Sequence, residues 1–223
     1  MTVVSCKNLI KRYDGAATPV INGVSFELVE GCFVSVMGRS GSGKSTLLKL
    51  LCGLLTPDSG EVFVAGHNVH CLNSRKRSYF RSRVIGIVFQ DNNLISDFCV
   101  EDNILTPLYI AGAKPDKDYY NRILELTELS EYRRKMPTEL SGGQKQKAAV
   151  ARALIARPKI IFADEPTGSL DSASEAQIMG LFNAVNREFG ISVVQVTHSA
   201  ACAAAGRGII RINDGKMVEE AVK

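Results

Sequence analysis

The octet Gly38-Arg39-Ser40-Gly41-Ser42-Gly43-Lys44-Ser45 fits the spacing G-x-x-x-x-G-K-[ST]. Glycines at this spacing let backbone N–H groups curl around a phosphate, and a helix starting there turns its positive end to the same anion. Lys44 adds a mobile cation for β- and γ-phosphates, and the Ser45 hydroxyl is a hard oxygen suited to Mg²⁺. The amides of the 38–46 loop, Thr46 included, complete the cradle. By itself this loop implies a nucleoside triphosphate. A second group, Ile160-Ile161-Phe162-Ala163-Asp164-Glu165, lies 120 residues beyond Lys44 (164 − 44). An apolar strand ending in a carboxylate brings Asp164 to a sheet's carboxyl edge, near the metal. Glu165 beside it is placed to take a proton from an attacking water. Taken alone, the same run also fits a strand entering a solvated acidic turn. The third group is Leu140-Ser141-Gly142-Gly143-Gln144. A helix-capping serine followed by two glycines leaves several N–H groups open to an anion, although S-G-G alone also fits a plain capped turn.

The elements that must hold these residues follow from pattern. Val3–Cys6, Val20–Ile21 and Val24–Leu28 are β-prone, separated by Asp14-Gly15 and Asn22-Gly23 turn signals. Phe33–Met37 is a buried-type strand, followed by the glycine-rich loop and an apolar helix that stops near Gly53. Glu61–Ala65 and Val84–Phe89 are further strands. From Asp91 to Arg157 the spacing turns helical, with Ile104, Leu105, Leu108 and Tyr109, and then Ile123, Leu124 and Leu126, on helix faces. Gln144–Ala156 continues the third group as a helix ended by Pro158. Ile160–Ala163 is a strand. Ser172, with Glu175 three places on, reads as a capping box opening a helix whose apolar face is Ile178, Phe182, Val185 and Phe189. Ile191–Thr197 is a buried strand, and 209–219 reads as a hairpin around Asn213-Asp214-Gly215. Alternating strands and helices with a helical insert predict an α/β fold with a mainly parallel sheet.

Composition sets outer limits. The 223 residues suffice for one domain with its own core. Lys+Arg 27 against Asp+Glu 23 gives a net charge of +4, too weak to argue for nucleic acid without a patch. Arg75–Arg83 is locally basic but reads as a solvated helix leading into a strand. No apolar run reaches membrane-spanning length, and the N-terminus lacks the apolar core of a signal peptide. The cysteines Cys6, Cys32, Cys52, Cys71, Cys99 and Cys202 are scattered, with no C-x-x-C pair, which fits small hydrophobes in a cytosolic protein better than zinc or disulfides.

The order of motifs carries a resemblance. The loop at 38–45, Gln90 after an apolar strand, Leu140–Gln144, Asp164-Glu165 and a lone His198 after a strand are similar to the ATP-binding subunit of ATP-binding-cassette (ABC) transporters over essentially the whole chain. The resemblance implies a P-loop, RecA-like core with an N-terminal antiparallel β subdomain and an inserted helical subdomain. The single cassette of 1–223 would divide into a core and β subdomain at 1–90 and 158–223, and a helical subdomain at 91–157. It further implies a head-to-tail homodimer around two Mg-ATP, with Ser141 and Gly143 of one chain, in the Ser141–Gln144 segment with Gly142, on the phosphate held by the other chain's Lys44. Gln90 would touch Mg²⁺ or the water and sense the membrane partner, and Ser45, Gln90 and Asp164 would be the metal's neighbours. Glu165 and His198, with Lys44, would be catalytic, and Tyr13 would stack on adenine. Ser169-Leu170-Asp171 would couple the two sites.

Two positions depart from the family pattern: Lys147 stands where arginine is common, and Ser199 where aspartate is usual. The resemblance also implies a separate transmembrane permease and a cytoplasmic location, peripheral on the inner face of the membrane, with no nucleic-acid partner. The docking groove would involve about Asp91–Leu108, with Leu94, Ile95 and Phe98 as exposed candidates. Within the family, Glu165-Pro-Thr-Gly-Ser-Leu-Asp171 most resembles subunits serving macrolide export, lipoprotein release and cell-division signalling. A soluble ABC ATPase of DNA repair or translation is the alternative, although no heptad run exists for a coiled coil.

Overall fold

A computed structural model describes Met1–Val222; Lys223, the last residue of the expected cassette, lies outside the described residues. In chain order the elements are β1 (Thr2–Lys11), β2 (Ile21–Val29), β3 (Phe33–Met37), α1 (Lys44–Leu51), β4 (Ser59–Val64), β5 (His67–Asn68), α2 (Ser74–Val84) and β6 (Ile85–Val88). There follow α3 (Val100–Ile110), α4 (Lys117–Thr127), α5 (Gly142–Leu154), β7 (Ile160–Asp164), α6 (Ser172–Phe189), β8 (Ser192–Thr197), α7 (Ala200–Ala205), β9 (Gly208–Asn213) and β10 (Lys216–Val222).

The larger sheet runs β10-β9-β3-β8-β7-β6. Its pairings β9·β3, β3·β8, β8·β7 and β7·β6 are parallel, and only the β9·β10 hairpin is antiparallel. The smaller sheet, β2-β1-β4-β5, is wholly antiparallel. Alternation along the central strands splits the core into two layers. Ile161, Ala163 and Val193 face α3–α7, packing with Ile104, Val150 and Phe182. Phe162, Val194 and Val196 face α1 and the antiparallel sheet, packing with Leu47, Leu50 and Val4. Strands covered on both faces read as near-continuous apolar runs, as β7 does, whereas β8 carries a fully buried Gln195 whose amide donates to Ser35 Oγ and the Cys202 carbonyl.

Three expectations need correction. Asn22-Gly23 is not a turn: β2 continues through it, with Gly23 at φ 73° where the β1 register slips between Leu9↔Val24 and Ile10↔Asn22, the signature of a bulge. The 91–157 stretch is not helical from its start, because residues 91–99 form an irregular segment before α3. The cap of α6 is Asp171, whose carboxylate accepts from the Ser174 amide, so Ser172 is the first helical residue and Glu175 is free for other contacts. The basic stretch is the exposed helix α2 running into β6, as its pattern suggested.

Candidate active site

Parallel pairing decides what meets at the carboxyl edge. β3 ends in the glycine loop, β8 in His198, β7 in Asp164-Glu165, and β6 is followed by Gln90. These four strands are neighbours in the order β3-β8-β7-β6, so side chains up to 160 residues apart (198 − 38) emerge in one row about 5 Å apart per strand.

The loop turns into α1 at Gly43, whose φ of 99° is its N-cap conformation. A Cβ there would lie 2.5 Å from the Val20 carbonyl oxygen, so the position admits only glycine. Gly38 and Gly41 open the loop before it, with Arg39, Ser40 and Ser42 between. Lys44 is 5% exposed and its ammonium donates to the Gly38 and Arg39 carbonyls at 3.0 and 2.9 Å. Among the described residues no carboxylate pairs with it, so a nearly buried cation has neutral carbonyls as its partners and favours an incoming anion. Ser42 Oγ is buried without a partner in the same loop. A cavity of about 250 Å³ is lined by Val20, Ser40, Lys44, Ser45, Thr46 and Glu165.

Ser45 Oγ donates to Asp164 Oδ1 at 2.7 Å, joining the loop to β7 through two hard oxygens. That donor set fits Mg²⁺, which is commonly held by one or two protein oxygens together with substrate phosphates and water. No group of three His, Cys, Asp or Glu placed to hold a metal exists among the described residues, so these residues form no closed cage. Gln90 is exposed, and its amide packs on the 165–168 turn, where a Cβ on Gly168 would lie 3.1 Å from Gln90 Nε2.

Glu165 occupies the left-handed region at φ 45°, and its amide donates to the Val196 carbonyl at 3.0 Å. A non-glycine residue there costs about 1–2 kcal/mol and turns the chain sharply off the strand. Its Oε2 lies 3.3 Å from His198 Nδ1. Glu165 lines the cavity of Lys44 and also a second one, of about 180 Å³, shared with Thr167, Glu175, His198 and Ser199. Tyr13 is exposed, with its phenol 3.3 Å from Thr46 Oγ1, which sets the ring beside the loop.

Ser141, Gly142, Gly143 and Gln144 are not among the residues lining either cavity. Ser141 caps α5 in a reciprocal box: the Ser141 amide donates to Gln144 Oε1 at 2.9 Å and the Gln144 amide to Ser141 Oγ at 3.3 Å. Gly142 and Gly143 face Leu170 and Ser174, so the segment adjoins the Ser169–Asp171 loop at the surface. Lys147 pairs with Glu128, which closes α4 in a left-handed conformation. Ser199 caps α7, accepting from the Cys202 amide at 3.2 Å, so it keeps the capping part of an aspartate's role.

Sequence reasoning missed several supporting residues. Thr167 is buried, and Thr167 and Ser199 donate to the two oxygens of Glu175 at 3.3 and 3.4 Å. Asn103, fully buried on α3, accepts from the Ile95 amide at 2.7 Å and donates to the Ile95, Phe98 and Cys99 carbonyls. Gln146 and Arg152 of α5 hold the Phe89, Asn92 and Asn93 carbonyls. For Asn103 alone, a polar residue inside the apolar stripe of a helix was a signal that could have found it. Of the three groove candidates, Ile95 and Phe98 are exposed, whereas Leu94 packs against the helical core.

A doubly covered parallel sheet, a glycine loop opening a helix, and a carboxylate at the end of β7, one strand removed from the loop's own strand, define a nucleoside-triphosphate-binding P-loop protein. Within that class the chain belongs to the ABC transporter family, whose model matches residues 21–168. It is 41% identical over 226 residues to a macrolide export ATP-binding/permease protein MacB of Syntrophobacter fumaroxidans, covering 99% of this chain and 32% of that protein. It is 39% identical to a lipoprotein-releasing system ATP-binding protein LolD of Porphyromonas gingivalis, covering 98% of this chain and 100% of the relative. The chain thus spans about a third of MacB and the whole of LolD. A dimeric structure of the ATP-binding cassette MJ0796, in a post-hydrolysis state bound to ADP and Pi, superposes with a TM-score of 0.88 at 37% identity, covering 98% of each chain.

Proposed function

We propose that the chain binds and hydrolyses ATP, closing head to tail with a second copy around two Mg-ATP, and drives a separate membrane permease in an export, lipoprotein-release or force-transmitting system. The observation that carries this is the joining of Ser45 to Asp164 at 2.7 Å beside a nearly buried Lys44, with Glu165 lining the same cavity. The outward-facing Ser141–Gln144 cap supports the paired state, since it is a second anion-ready helix start that the chain's own site does not use. The resemblance to MacB and LolD points to transport and not to the repair or translation alternative. No helix among the described residues is long and apolar enough to cross a membrane, which suits a peripheral subunit at the inner membrane face.

In this reading Lys44 and the amides of 38–46 hold the triphosphate, and Tyr13 lies against the base. Ser45 and Asp164 would hold Mg²⁺, with Gln90 as a further candidate, and the ion would supply charge neutralisation at the phosphate oxygens. The Glu165 carboxylate accepts the proton of the attacking water as its oxygen bonds to the γ-phosphorus and the bond to the ADP oxygen breaks. His198, 3.3 Å from Glu165, orients that water and the γ-phosphate. The partner's Ser141–Gln144 segment completes the site, so hydrolysis follows closure. Residues 91–157 form the arm that moves, and the segment after Gln90 faces the permease.

Glu165→Gln tests the assignment. Turnover falls by about 100-fold or more, while ATP-driven pairing persists in sedimentation. Near-wild-type hydrolysis overturns Glu165 as the base.

A further inference from the structure

Three carbonyls that flank Gln90 accept hydrogen bonds from one helix. Gln146 Nε2 donates to the Phe89 carbonyl at 3.2 Å, and the two Nη atoms of Arg152 donate to the Asn92 and Asn93 carbonyls at 2.6 Å each. Both donors stand on α5, the helix that Ser141 caps. The gripped backbone is unusual. Asn92 and Asn93 both lie in the left-handed region, at φ 52° and 49°, a costly pairing for consecutive non-glycine residues that asparagine tolerates best. Gln146 is 2% exposed. Arg152 has no carboxylate partner among the described residues, and burial alone moves its guanidinium's pKa, downward. A partly buried cation without a counter-ion is an expensive way to fill space. Leucine or methionine would pack there at lower cost, so the fork's value lies in what it holds.

We propose that Arg152, assisted by Gln146, is a positioning residue that locks the loop around Gln90 to the helix carrying Ser141–Gln144, coupling one ATP site to the other. The inference rests on the head-to-tail reading above and adds to it a specific linkage. Gln90 serves the site of its own chain, against Gly168. Ser141 serves the site of the partner. About 15 Å of one rigid helix joins Gly142 to Arg152, so a shift of the Gln90 loop moves the Ser141 cap with it. The guanidinium matters as a planar fork, since it spans two successive carbonyls that a single ammonium cannot hold in that geometry.

The test uses the full chain carrying Glu165→Gln, with ATP as the probe. Arg152→Lys and, separately, Gln146→Leu are added. Two quantities are measured: ATP binding by the single chain at low protein concentration, and the ATP-driven dimerisation constant. The expected result is ATP affinity unchanged within about twofold and dimerisation weakened about tenfold in Arg152→Lys, as befits loss of one charge-assisted hydrogen bond, and about fivefold in Gln146→Leu, which loses a neutral one. In chains with Glu165 restored, the ATP dependence of hydrolysis loses sigmoidicity, a change that partial unfolding does not produce. Equal dimerisation and equal sigmoidicity in a variant with unchanged ATP affinity overturn the proposal. If Arg152→Lys does not fold, Gln146→Leu decides on the same readouts. If the Glu165→Gln reference itself stays monomeric with ATP, the paired reading fails and the linkage falls with it. If the reference pairs and the variants pair equally well, only the linkage falls.

Discussion

Replacing Gly43 by alanine has a cost that can be worked out from the loop itself. Its φ of 99° lies well outside the region that an L-residue adopts at ease, at about 1–2 kcal/mol for the backbone alone. The new Cβ also meets the Val20 carbonyl oxygen at 2.5 Å and Ile21 Cδ1 at 2.9 Å. Val20 is anchored by its amide on the Lys11 carbonyl, and Ile21 is fully buried at the start of β2, so neither retreats freely. Overpacking of this kind adds about 1–3 kcal/mol, for a total near 3 kcal/mol. In a chain of 223 residues that lowers the melting temperature by roughly 6–12 °C. Gly41→Ala is the matched control: its φ is 77°, with nothing within 4 Å of the added Cβ, so only the backbone cost remains, about 1–2 kcal/mol. Thermal melting of the two variants, with and without ATP, is the assay. Gly43→Ala melts clearly below Gly41→Ala and loses ATP-dependent stabilisation, because the displaced residue caps the helix that receives the phosphate. Equal melting temperatures for the two variants would refute the claim that contact with Val20, beyond backbone strain, fixes this loop.

Two other outcomes follow from the supporting structure. Asn103→Leu removes four hydrogen bonds to residues 95–99 and leaves the Ile95 amide without its acceptor, costing about 2–3 kcal/mol. Hydrogen exchange at Ile95 therefore accelerates, and unchanged protection there rejects the anchoring role. Acid stability depends on carboxylates held below their ordinary values: Asp171 by the Ser174 amide, Asp116 by the Tyr119 amide, Asp58 by Lys11 and Glu188 by Arg122. Since the folded pKa values are depressed, this stability is full above the unfolded value, 3.8 for the aspartates, and is lost as pH falls through the folded values. The melting temperature accordingly drops on acidification below about pH 4, and the drop is shallower in Asp171→Asn.

Much of the site was legible because its chemistry is local. A glycine loop between a strand and a helix, a serine directly before a glycine pair that opens a second helix, and a carboxylate ending an apolar run each need only a few consecutive residues. Supporting contacts were not legible, because they join distant segments. Nothing in the spacing of Arg152 and Asn92 predicts a guanidinium fork across 60 residues. Ser172 and Glu175 imitated a capping box, but Asp171, one place earlier, is as good an acceptor, and tertiary contacts drew Glu175 toward Thr167 and Ser199. Leu94 looked as exposed as Ile95 and Phe98, because in an irregular segment burial follows the path of the chain and not any period.

The sequence by itself determined the phosphate-binding loop, the acidic strand end, the capped Ser141 helix and the α/β class, since backbone propensity, capping and strand burial are properties of short stretches. Only the tertiary structure decided that β3, β8, β7 and β6 lie side by side, so that Lys44, His198, Glu165 and Gln90 share one edge. It alone set Ser45 on Asp164, Glu165 near His198, and the Gln90 loop in the grip of α5. The physical reason is strand order: parallel neighbours are chosen by burial of both sheet faces over the whole chain, and that choice is written in no single segment.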